Sequence, residues 1–461
     1  MKTRAVVLAL LVSGLAVGLL SREPAAEPRL KGSARGAKNG WITIRLEGSP
    51  SQIGYQHGYL LAPEIEDALK VTRLNLAHDS KKDWEFFRDA AEKLLWPKVE
   101  EEYRQEIQGI LEGAQARGVK ADLLDIVVLN ASLELGYYNE WYDKRKTSAQ
   151  AERCSAFVAT GSYTKDGKVV IGHNNWSGYL EGSRWNIIFD MRPEKGHRIL
   201  MDGFPGFIHS GDDFGLNSGG MVITETTITG FKGFDPEGIP EFARARKAMQ
   251  YSSSIDDFDR IMRPGNNGGY ANAWLVADLN ANEIGRLELG LKNVTLERKK
   301  DGYFTGANFP INEKLAAEET TFDMKNPGLS ANARRVRWEQ LMAERKGRID
   351  VAAGRSFLAD HYDVVEGKAD PSERSLCGHN EFSPRGMKPW SPEFGTAGTV
   401  QAKITDAAMA RRMSLSAAMG HPCGVHFKAA AHLAQHPELN WEKDLLRDLN
   451  AHPWTKFEAA R

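Results

Sequence analysis

The sequence has few cysteines and almost no net charge, and each shortage excludes a class of protein. Only three cysteines occur among 461 residues, which excludes a disulfide-rich scaffold. The chain has 60 basic and 61 acidic residues, so its net charge is −1. This balance gives no electrostatic reason to expect binding to nucleic acid or to an anionic membrane surface. With 41% hydrophobic and 26% charged residues, the chain has the composition of an ordinary globular protein.

Metal-binding motifs are also lacking. No two cysteines have the CxxC spacing, so we expect no structural zinc site. No HExxH motif is present, although His421 and His426 flank Cys423 without acidic neighbours. A metal hydrolase is therefore a disfavoured alternative, and we expect neither a metal nor a cofactor.

A long apolar run occurs only at the N-terminus. Lys2 and Arg4 precede the apolar residues 5–20, after which the chain becomes polar. This run is shorter than the roughly 20 residues that a membrane span needs, and a basic start before it is typical of a secretory signal. We assign residues 1–21 to a signal peptide, with an uncleaved membrane anchor as the alternative, and residues 22–40 to a polar linker. The protein is therefore expected to be exported to a periplasmic, secreted or lumenal location.

Residues 41–153 are predicted to be mainly helical. A short strand is expected over 41–45, and apolar residues recur at helical spacing from Val99 to Leu111, after Pro97. A further helix is expected over 121–135. Residues 147–153 are small and polar, which is typical of an exposed segment that can be cut.

The pattern changes to strands after residue 154. Asp166-Gly167 predicts a two-residue hairpin, and helical patterns interrupt the strands at about 240–263, 332–345 and 405–419. Strands are expected at about 155–164, 168–174, 185–190, 198–202, 219–228, 272–279, 283–291, 302–307 and 398–405. Several antiparallel strands followed by helices indicate an α+β protein with sheets inside and helices outside.

Cys154 stands where the helical region gives way to strands. If the bond between Arg153 and Cys154 is cut, Cys154 carries a thiol and a free α-amine, and the amine can act as the base for its own thiol. The alternative is a small buried residue at the start of a strand. Outside the cytosol Cys377 and Cys423 could pair as a disulfide, which would leave Cys154 as the odd thiol.

Several segments carry a family resemblance. The stretch C-S-A-F-V-A-T to H-N-N-W, residues 154–176, resembles the start of the catalytic chain in the phospholipase B-like family. Residues 215–228, 306–310, 375–380 and 413–420 are similar to the same family. G-Y-Q-H-G and L-L-D-I-V-V-L-N-A, residues 54–58 and 123–131, are more similar to the related penicillin acyltransferase family.

The resemblance implies a fold and a maturation step. Both families are N-terminal nucleophile hydrolases, whose fold is an α/β/β/α sandwich of two antiparallel sheets. Residues 41–153 would then be a helical prosegment, which becomes the light chain after self-cleavage between Arg153 and Cys154. The catalytic chain would comprise residues 154–461.

The resemblance also implies roles for individual residues. Arg335 and Arg337 compete with Arg334 for the position of a pocket arginine. A disulfide between Cys377 and Cys423 is also supported by the resemblance. The roles are Cys154 as nucleophile, Asn308 as the amide that holds the oxyanion, His173 and Thr226 as further catalytic residues, and Trp176 and Arg334 as substrate-binding residues.

The position of His173 conflicts with the predicted hairpin. Strict register around Asp166-Gly167 would place His173 opposite Thr160, far from Cys154. A catalytic role for His173 therefore requires a twist or a bulge.

The expected function is that of an exported, self-processing cysteine hydrolase of acyl bonds. Its partner would be a small acyl-bearing substrate, either a phospholipid or an N-acyl amide, and the two cleaved chains would remain associated. The apolar side chains of Trp176 and Phe157 favour a fatty or aromatic acyl group. The alternatives are an amidase or acyltransferase like penicillin acyltransferase, and a secreted binding protein that keeps the fold without catalysis.

Overall fold

The computed structural model describes residues 27–144, 154–211, 214–383 and 396–460. The apolar run at 5–20 and the cleavage-site residue Arg153 lie outside these ranges. Within them, the strands form a large sheet, a small sheet and a two-stranded ribbon. No helix in this part of the chain is both long and apolar enough to cross a bilayer.

The sheets contain strands from both sides of Cys154, that is from before and within the predicted catalytic chain. In spatial order, the large sheet contains β1 (Ala34–Lys38), β2 (Trp41–Gly48), β5 (Ile187–Pro193), β6 (Ile199–Gly203), β7 (Gly215–Asn217), β8 (Met221–Thr227), β9 (Asn272–Asp278), β10 (Glu283–Leu289) and β11 (Val294–Lys299). The small sheet contains β12 (Gly302–Gly306), β3 (Ser155–Thr160), β4 (Val170–Gly178), β15 (Ala397–Asp406), β16 (Ser414–Met419) and β17 (Thr455–Glu458). The ribbon pairs β13 (Tyr362–Asp363) with β14 (Lys368–Ala369).

The described α-helices all lie between the first two strands and the last strand along the chain. Those of the prosegment are α1 (Pro50–Leu60), α2 (Ala62–Ser80), α3 (Trp84–Ala90), α4 (Glu101–Ala116), α5 (Leu123–Asn130) and α6 (Ser132–Tyr142). Those of the catalytic chain are α7 (Tyr179–Gly182), α8 (Glu241–Tyr251), α9 (Ile255–Met262), α10 (Glu313–Glu319), α11 (Ser330–Glu344), α12 (Val351–Leu358), α13 (Ala407–Ala410) and α14 (Ala429–Gln435).

Three groups of buried apolar side chains define the layers. One group lies between helices α1–α6, α8 and α9 and the large sheet, a second between the two sheets, and a third between the small sheet and α11 and α12. Alternation along β5 shows the two faces of the large sheet, because Ile187 and Phe189 face the helices while Ile188 faces the small sheet. The predicted α/β/β/α architecture is confirmed.

The predicted linker at residues 22–40 is wrong in its second half. Ala34–Lys38 forms β1 at the edge of the large sheet and pairs with β2 in antiparallel register, Lys38 opposite Trp41. Asn39 and Gly40 make the turn with φ values of 47° and 81°. Two left-handed residues are what a two-residue type I′ hairpin requires, so Asn39-Gly40 was a hairpin signal that the sequence analysis missed.

The prosegment also contributes the one parallel strand pair of the described sheets. The predicted strand at 41–45 extends to Gly48, and β2 runs parallel to β5, with Ile42 opposite Ile187 and Gly48 opposite Pro193. The large sheet is therefore not purely antiparallel. Because β2 belongs to the prosegment and β5 to the catalytic chain, the two predicted chains share a single sheet.

The hairpin at Asp166-Gly167 is not formed as predicted. β3 ends at Thr160 and β4 begins only at Val170. Between them the chain makes a short 3-10 turn, and Thr164 bridges to Ile349 in a distant segment. This long-range pairing fixes a longer connection than the local turn signal predicts.

The predicted helix at 405–419 is also wrong. Only Ala407–Ala410 is helical, Met413 turns the chain with a φ of 50°, and Ser414–Met419 forms β16. All residues of β16 are buried between β15 and β17. A short apolar segment of this kind does not distinguish strand from helix locally, so the pairing on both sides decides its conformation.

Helices α1 and α4 approach each other through glycines. A Cβ atom on Gly58 would lie 1.9 Å from the carbonyl oxygen of Ile110, and one on Gly113 would lie 2.1 Å from the carbonyl oxygen of Tyr55. Backbone fills the space where these side chains would stand. The contact therefore requires glycine on both helices.

We predict that Gly58→Ala lowers the free energy of unfolding by about 1–3 kcal/mol, because the added methyl group must separate α1 from α4. The matched control is Gly136→Ala in α6, where a Cβ would meet nothing within 4 Å. Alanine there should raise the free energy of unfolding by about 0.5–1 kcal/mol through its better helix propensity. Urea unfolding of both variants measures the difference, and equal stability would contradict the close contact.

Candidate active site

Cys154 is buried immediately before β3. Its side chain is 1% exposed, and its Sγ lies 3.8 Å from Oε1 of Glu225. Its φ of 78° lies in the left-handed region, which is strained for a residue with a Cβ. Its carbonyl oxygen accepts a hydrogen bond of 2.6 Å from Nη1 of Arg334. Both the thiol and the backbone of Cys154 are thus held in place.

His173 lies beside Cys154 because of the actual register of β3 and β4. Ala156 is opposite His173, and Ser155 is opposite Asn174. The longer connection between the strands shifts His173 away from Thr160, the partner that a tight hairpin would give. The ligand atoms of Cys154, His173 and Glu225 all lie within 4.8 Å of one another, and all three residues are buried.

Glu225 is the residue of this group that the sequence analysis missed. It lies on β8, and its Oε1 accepts a hydrogen bond of 3.0 Å from the hydroxyl of Tyr270. The amide nitrogen of Asn272, in the orientation that satisfies both of its polar atoms, donates to Oε2 at 2.7 Å. These donors fix the carboxylate next to the thiol. The available signal was the E-T-T motif itself, in which Glu225 precedes the chosen Thr226.

Thr226 lies on the other face of β8. Alternation along a strand turns its side chain away from that of Glu225. A Cβ on Gly306 would lie 2.4 Å from Oγ1 of Thr226, so Thr226 packs against β12. Glu225 lies 3.8 Å from the thiol, and a catalytic role for Thr226 stays a prediction.

Arg334 connects the parts of the site from helix α11. The side chain is fully buried, and its Nη1 donates to the carbonyl oxygen of Cys154 and, at 3.0 Å, to Oγ of Ser155. Its Nη2 donates to Oδ1 of Asn308 at 3.0 Å. The guanidinium also covers the ring of Trp176, with Cζ 4.3 Å from the ring centroid.

The neighbouring arginines face elsewhere. Arg335 forms an ion pair with Glu339 on the helix surface, at 2.9 Å. Arg337 forms an ion pair with Asp360 at 2.8 Å. Of the three candidates, the structure therefore places Arg334 in the site.

Asn308 has its amide orientation fixed by hydrogen bonds. Its Oδ1 accepts from Arg334, and its Nδ2 donates to the carbonyl oxygen of Thr227 at 2.9 Å. Its φ of 68° lies in the left-handed region. Because an amide nitrogen carries two hydrogens, one hydrogen is left to donate to another acceptor. This geometry is compatible with the predicted oxyanion role.

Trp176 is buried and closely packed. It is 1% exposed, and its Nε1 donates to the carbonyl oxygen of Leu376 at 3.2 Å. A Cβ on Gly378 would lie 2.1 Å from the indole ring.

Phe157 packs among Trp338 and the other side chains between the small sheet and its helices. The interpretation of Phe157 as a wall for the acyl group is therefore wrong, because it faces the outer helices.

Cys377 and Cys423 are free thiols in the structure and are not joined by a disulfide. Both sulfurs lie next to the same imidazole, 3.5 Å and 3.4 Å from Nε2 of His379. With His361 they form a second group of potential metal ligands, apart from the one at Cys154. Their disulfide pairing stays a prediction.

Known proteins share parts of this sequence. The chain is 24% identical over 322 residues to the putative phospholipase B-like 2 of Rattus norvegicus, covering 60% of this chain and 54% of that protein. It is 24% identical over 263 residues to the acyl-coenzyme A:6-aminopenicillanic-acid-acyltransferase 40 kDa form of Emericella nidulans, covering 54% of this chain and 63% of that protein. A crystal structure of conjugated bile acid hydrolase from Clostridium perfringens is similar with a TM-score of 0.35 and 10% identity, covering 57% of this chain and 88% of that one.

The match to a family is broader than any single motif. The chain spans about half the length of the curated relatives it matches. A family model described as Phospholipase B matches residues 66–296, which is half of the chain and includes Cys154, His173 and Glu225. The sequence-based resemblance is confirmed, and the chain belongs to the phospholipase B family.

Proposed function

We propose that this protein is an exported, self-processing cysteine hydrolase that cleaves the acyl bonds of phospholipids or N-acyl amides. The observation that carries the proposal is the surroundings of Cys154, whose buried thiol lies beside His173 and Glu225. Arg334 joins the backbone of this cysteine to the amide of Asn308. Membership of the phospholipase B family supports the same class of reaction. Export rests on the N-terminal sequence alone.

Maturation would free the base that catalysis needs. In the intact chain the nitrogen of Cys154 is an amide and cannot accept the thiol proton. Glu225, with its carboxylate 3.8 Å from Sγ, is positioned to take that proton instead. The thiolate attacks the carbonyl carbon of Arg153, and the amide nitrogen leaves with a proton, forming a thioester. Water then hydrolyses the thioester and leaves a carboxylate on Arg153 and a free amine and thiol on Cys154.

We predict that Cys154→Ala abolishes this cleavage, because alanine has no nucleophile. Mass spectrometry of the purified wild type should find two chains, the larger beginning at Cys154, whereas the variant should give one chain. The rate of cleavage of purified precursor should not depend on protein concentration. A Cys154→Ala protein that is still cut at the same bond would show that an outside protease is responsible.

The cleaved chains should remain associated. The part of the chain before residue 154 provides β1 and β2 of the large sheet, and the prosegment helices bury apolar side chains against that sheet. Cleavage between residues 153 and 154 breaks none of these contacts. The two chains should therefore elute together in size-exclusion chromatography and separate only in denaturant.

Catalysis would use the new N-terminus. The α-amine accepts the thiol proton, and the thiolate attacks the acyl carbonyl of the substrate. The second amide hydrogen of Asn308 then binds the oxyanion of the tetrahedral intermediate, while His173 and Thr226 position the amine and the substrate. The ammonium returns its proton to the leaving alcohol or amine. Water hydrolyses the remaining thioester and releases the fatty or other carboxylic acid.

We predict that Asn308→Ala lowers kcat by about 10²–10³-fold, the usual loss for one oxyanion donor, with little change in KM. Steady-state kinetics on processed enzyme with the best substrate measures both constants. Cleavage of the variant has to be verified first, since an unprocessed chain would be inactive for another reason. A wild-type kcat in the processed variant would remove Asn308 from the oxyanion site.

Arg334 acts in this proposal as a positioning residue. We predict that Arg334→Lys lowers kcat by about 10–100-fold, because an ammonium cannot reproduce the planar fork that binds Cys154 and Asn308 together. The matched control is Arg335→Lys on the same helix, whose partner Glu339 lies at the surface. The control should keep kcat within about twofold, as expected for an exposed ion pair. Equal losses in both variants would contradict the role of Arg334.

Acyl transfer is the second candidate, favoured by the acyltransferase among the relatives. A transferase would pass the acyl group from Cys154 to an amine instead of to water. Assays with N-acyl amides and lysophospholipids of graded acyl length, each with and without added amine acceptors, separate the two reactions. Absence of turnover in fully processed protein would favour the non-catalytic binding protein instead.

A further inference from the structure

A second cluster of reactive side chains lies outside the catalytic group. It consists of His361, Cys377, His379 and Cys423, whose ligand atoms all lie within 4.8 Å of one another. Cys377 and His379 are buried, and the other two are partly buried. The four residues come from three separate loops, which follow α12, precede β15 and follow β16.

Two distances within this cluster match those around one tetrahedral zinc ion. Nε2 of His379 lies 3.5 Å from Sγ of Cys377 and 3.4 Å from Sγ of Cys423. With Zn–S bonds of about 2.3 Å and Zn–N bonds of about 2.0–2.1 Å, a sulfur and a nitrogen on the same tetrahedral ion are about 3.6 Å apart. One ion can therefore contact both sulfurs and this nitrogen with little rearrangement.

The groups behind the cluster also suit a metal site. Nδ1 of His379 lies 3.1 Å from Oε1 of Glu381, so the ring nitrogen that faces away from the sulfurs is bound to a carboxylate. Tyr179 donates to the other oxygen of Glu381 at 2.7 Å. A carboxylate on the outer nitrogen is the usual way to orient a histidine that binds zinc.

His361 supplies the fourth ligand. Its ring lies 5.1 Å from that of His379, measured between centroids. Its Nε2 is buried and forms no hydrogen bond of normal geometry with the described residues, and its ring interacts with the side chain of Cys423. A buried ring nitrogen of this kind is costly unless something binds it.

We propose that His361, Cys377, His379 and Cys423 together bind one structural Zn²⁺ ion. Each cysteine would lose its proton and bind as a thiolate. The proposal departs from the expectation of no zinc, which rested on the missing CxxC spacing, because these ligands converge from distant parts of the chain. It also replaces the disulfide between Cys377 and Cys423, and it is independent of the proposed enzymatic activity.

The ion would fix the loop that supports Trp176. The carbonyl oxygen of Leu376, the residue before Cys377, accepts hydrogen bonds from Nδ2 of Asn174 and Nε1 of Trp176. Arg334 covers the ring of Trp176. A zinc-bound Cys377 would fix the position of this carbonyl oxygen. It would thereby also fix the indole ring of Trp176, against which Arg334 packs.

The test is the metal content of the full-length protein, after incubation with Zn²⁺ and dialysis against metal-free buffer. We expect about one zinc ion per protein molecule, whether or not the chain has been cleaved. Denaturation with chelator and without reductant should release three titratable thiols. Cys377→Ser and His361→Ala should bring the zinc content to background. His426→Ala, which changes a histidine near Cys423 but outside the cluster, should retain the metal.

Three results would overturn the zinc proposal. A disulfide between Cys377 and Cys423 in non-reducing peptide mapping, with one titratable thiol, would overturn the proposal. Three thiols without bound zinc would overturn it too. If a cysteine variant fails to fold, the wild type still decides, because Co²⁺ in this site should give the absorption of a tetrahedral cobalt thiolate. Absence of that spectrum in folded protein would refute the assignment.

Discussion

The geometry of the site depends on the hydrogen bonds that the guanidinium of Arg334 makes. A buried charge is costly unless its donors are hydrogen-bonded, and here they bind oxygens of Cys154, Ser155 and Asn308. These partners belong to the start of β3 and to the loop after β12, while Arg334 itself belongs to α11. The outer helix layer therefore sets the distance between the proposed nucleophile and the proposed oxyanion donor. A shift of α11 would move both at once.

The predicted prosegment, residues 41–153, is part of the folded core. Its strand β2 lies within the large sheet, beside β5 of the catalytic chain. Glu106 of α4 and Arg246 of α8 form an ion pair at 3.1 Å, with side chains only 2% and 1% exposed. Loss of one member of such a pair typically costs about 3–5 kcal/mol, because the other charge stays buried. Cleavage before Cys154 would therefore change the termini of the chain but leave its architecture intact.

The sequence predicted the features that depend on local patterns and motifs. Cys154 at the start of a strand, the apolar helix before it and the layered architecture all follow from periodicity or from the family motifs. Glu225 and β16 were missed, because their roles depend on partners distant in the chain. The same reason explains His173, whose place beside Cys154 is fixed by a connection that bridges to Ile349. The zinc cluster is the extreme case, since no spacing of its ligands along the chain predicts their convergence.

The backbone of the intact site is strained at Cys154, next to the bond that is proposed to be cleaved. Cys154 and Asn308 both have left-handed φ values, 78° and 68°, and both are bound by Arg334. Such a conformation costs about 1–3 kcal/mol at a residue such as cysteine and less at asparagine, which adopts it more readily, and the surrounding hydrogen bonds must offset this cost. The φ angle of Cys154 is the torsion about its N–Cα bond, and it is defined relative to the carbonyl carbon of the preceding residue. Because an N-terminal residue has no φ, the proposed cleavage would remove this strain at Cys154 while that at Asn308 remains. Relief of this strain would therefore favour the product of the proposed cleavage over the intact chain, and the strained torsion of Cys154 directly adjoins the bond that the thiol would attack.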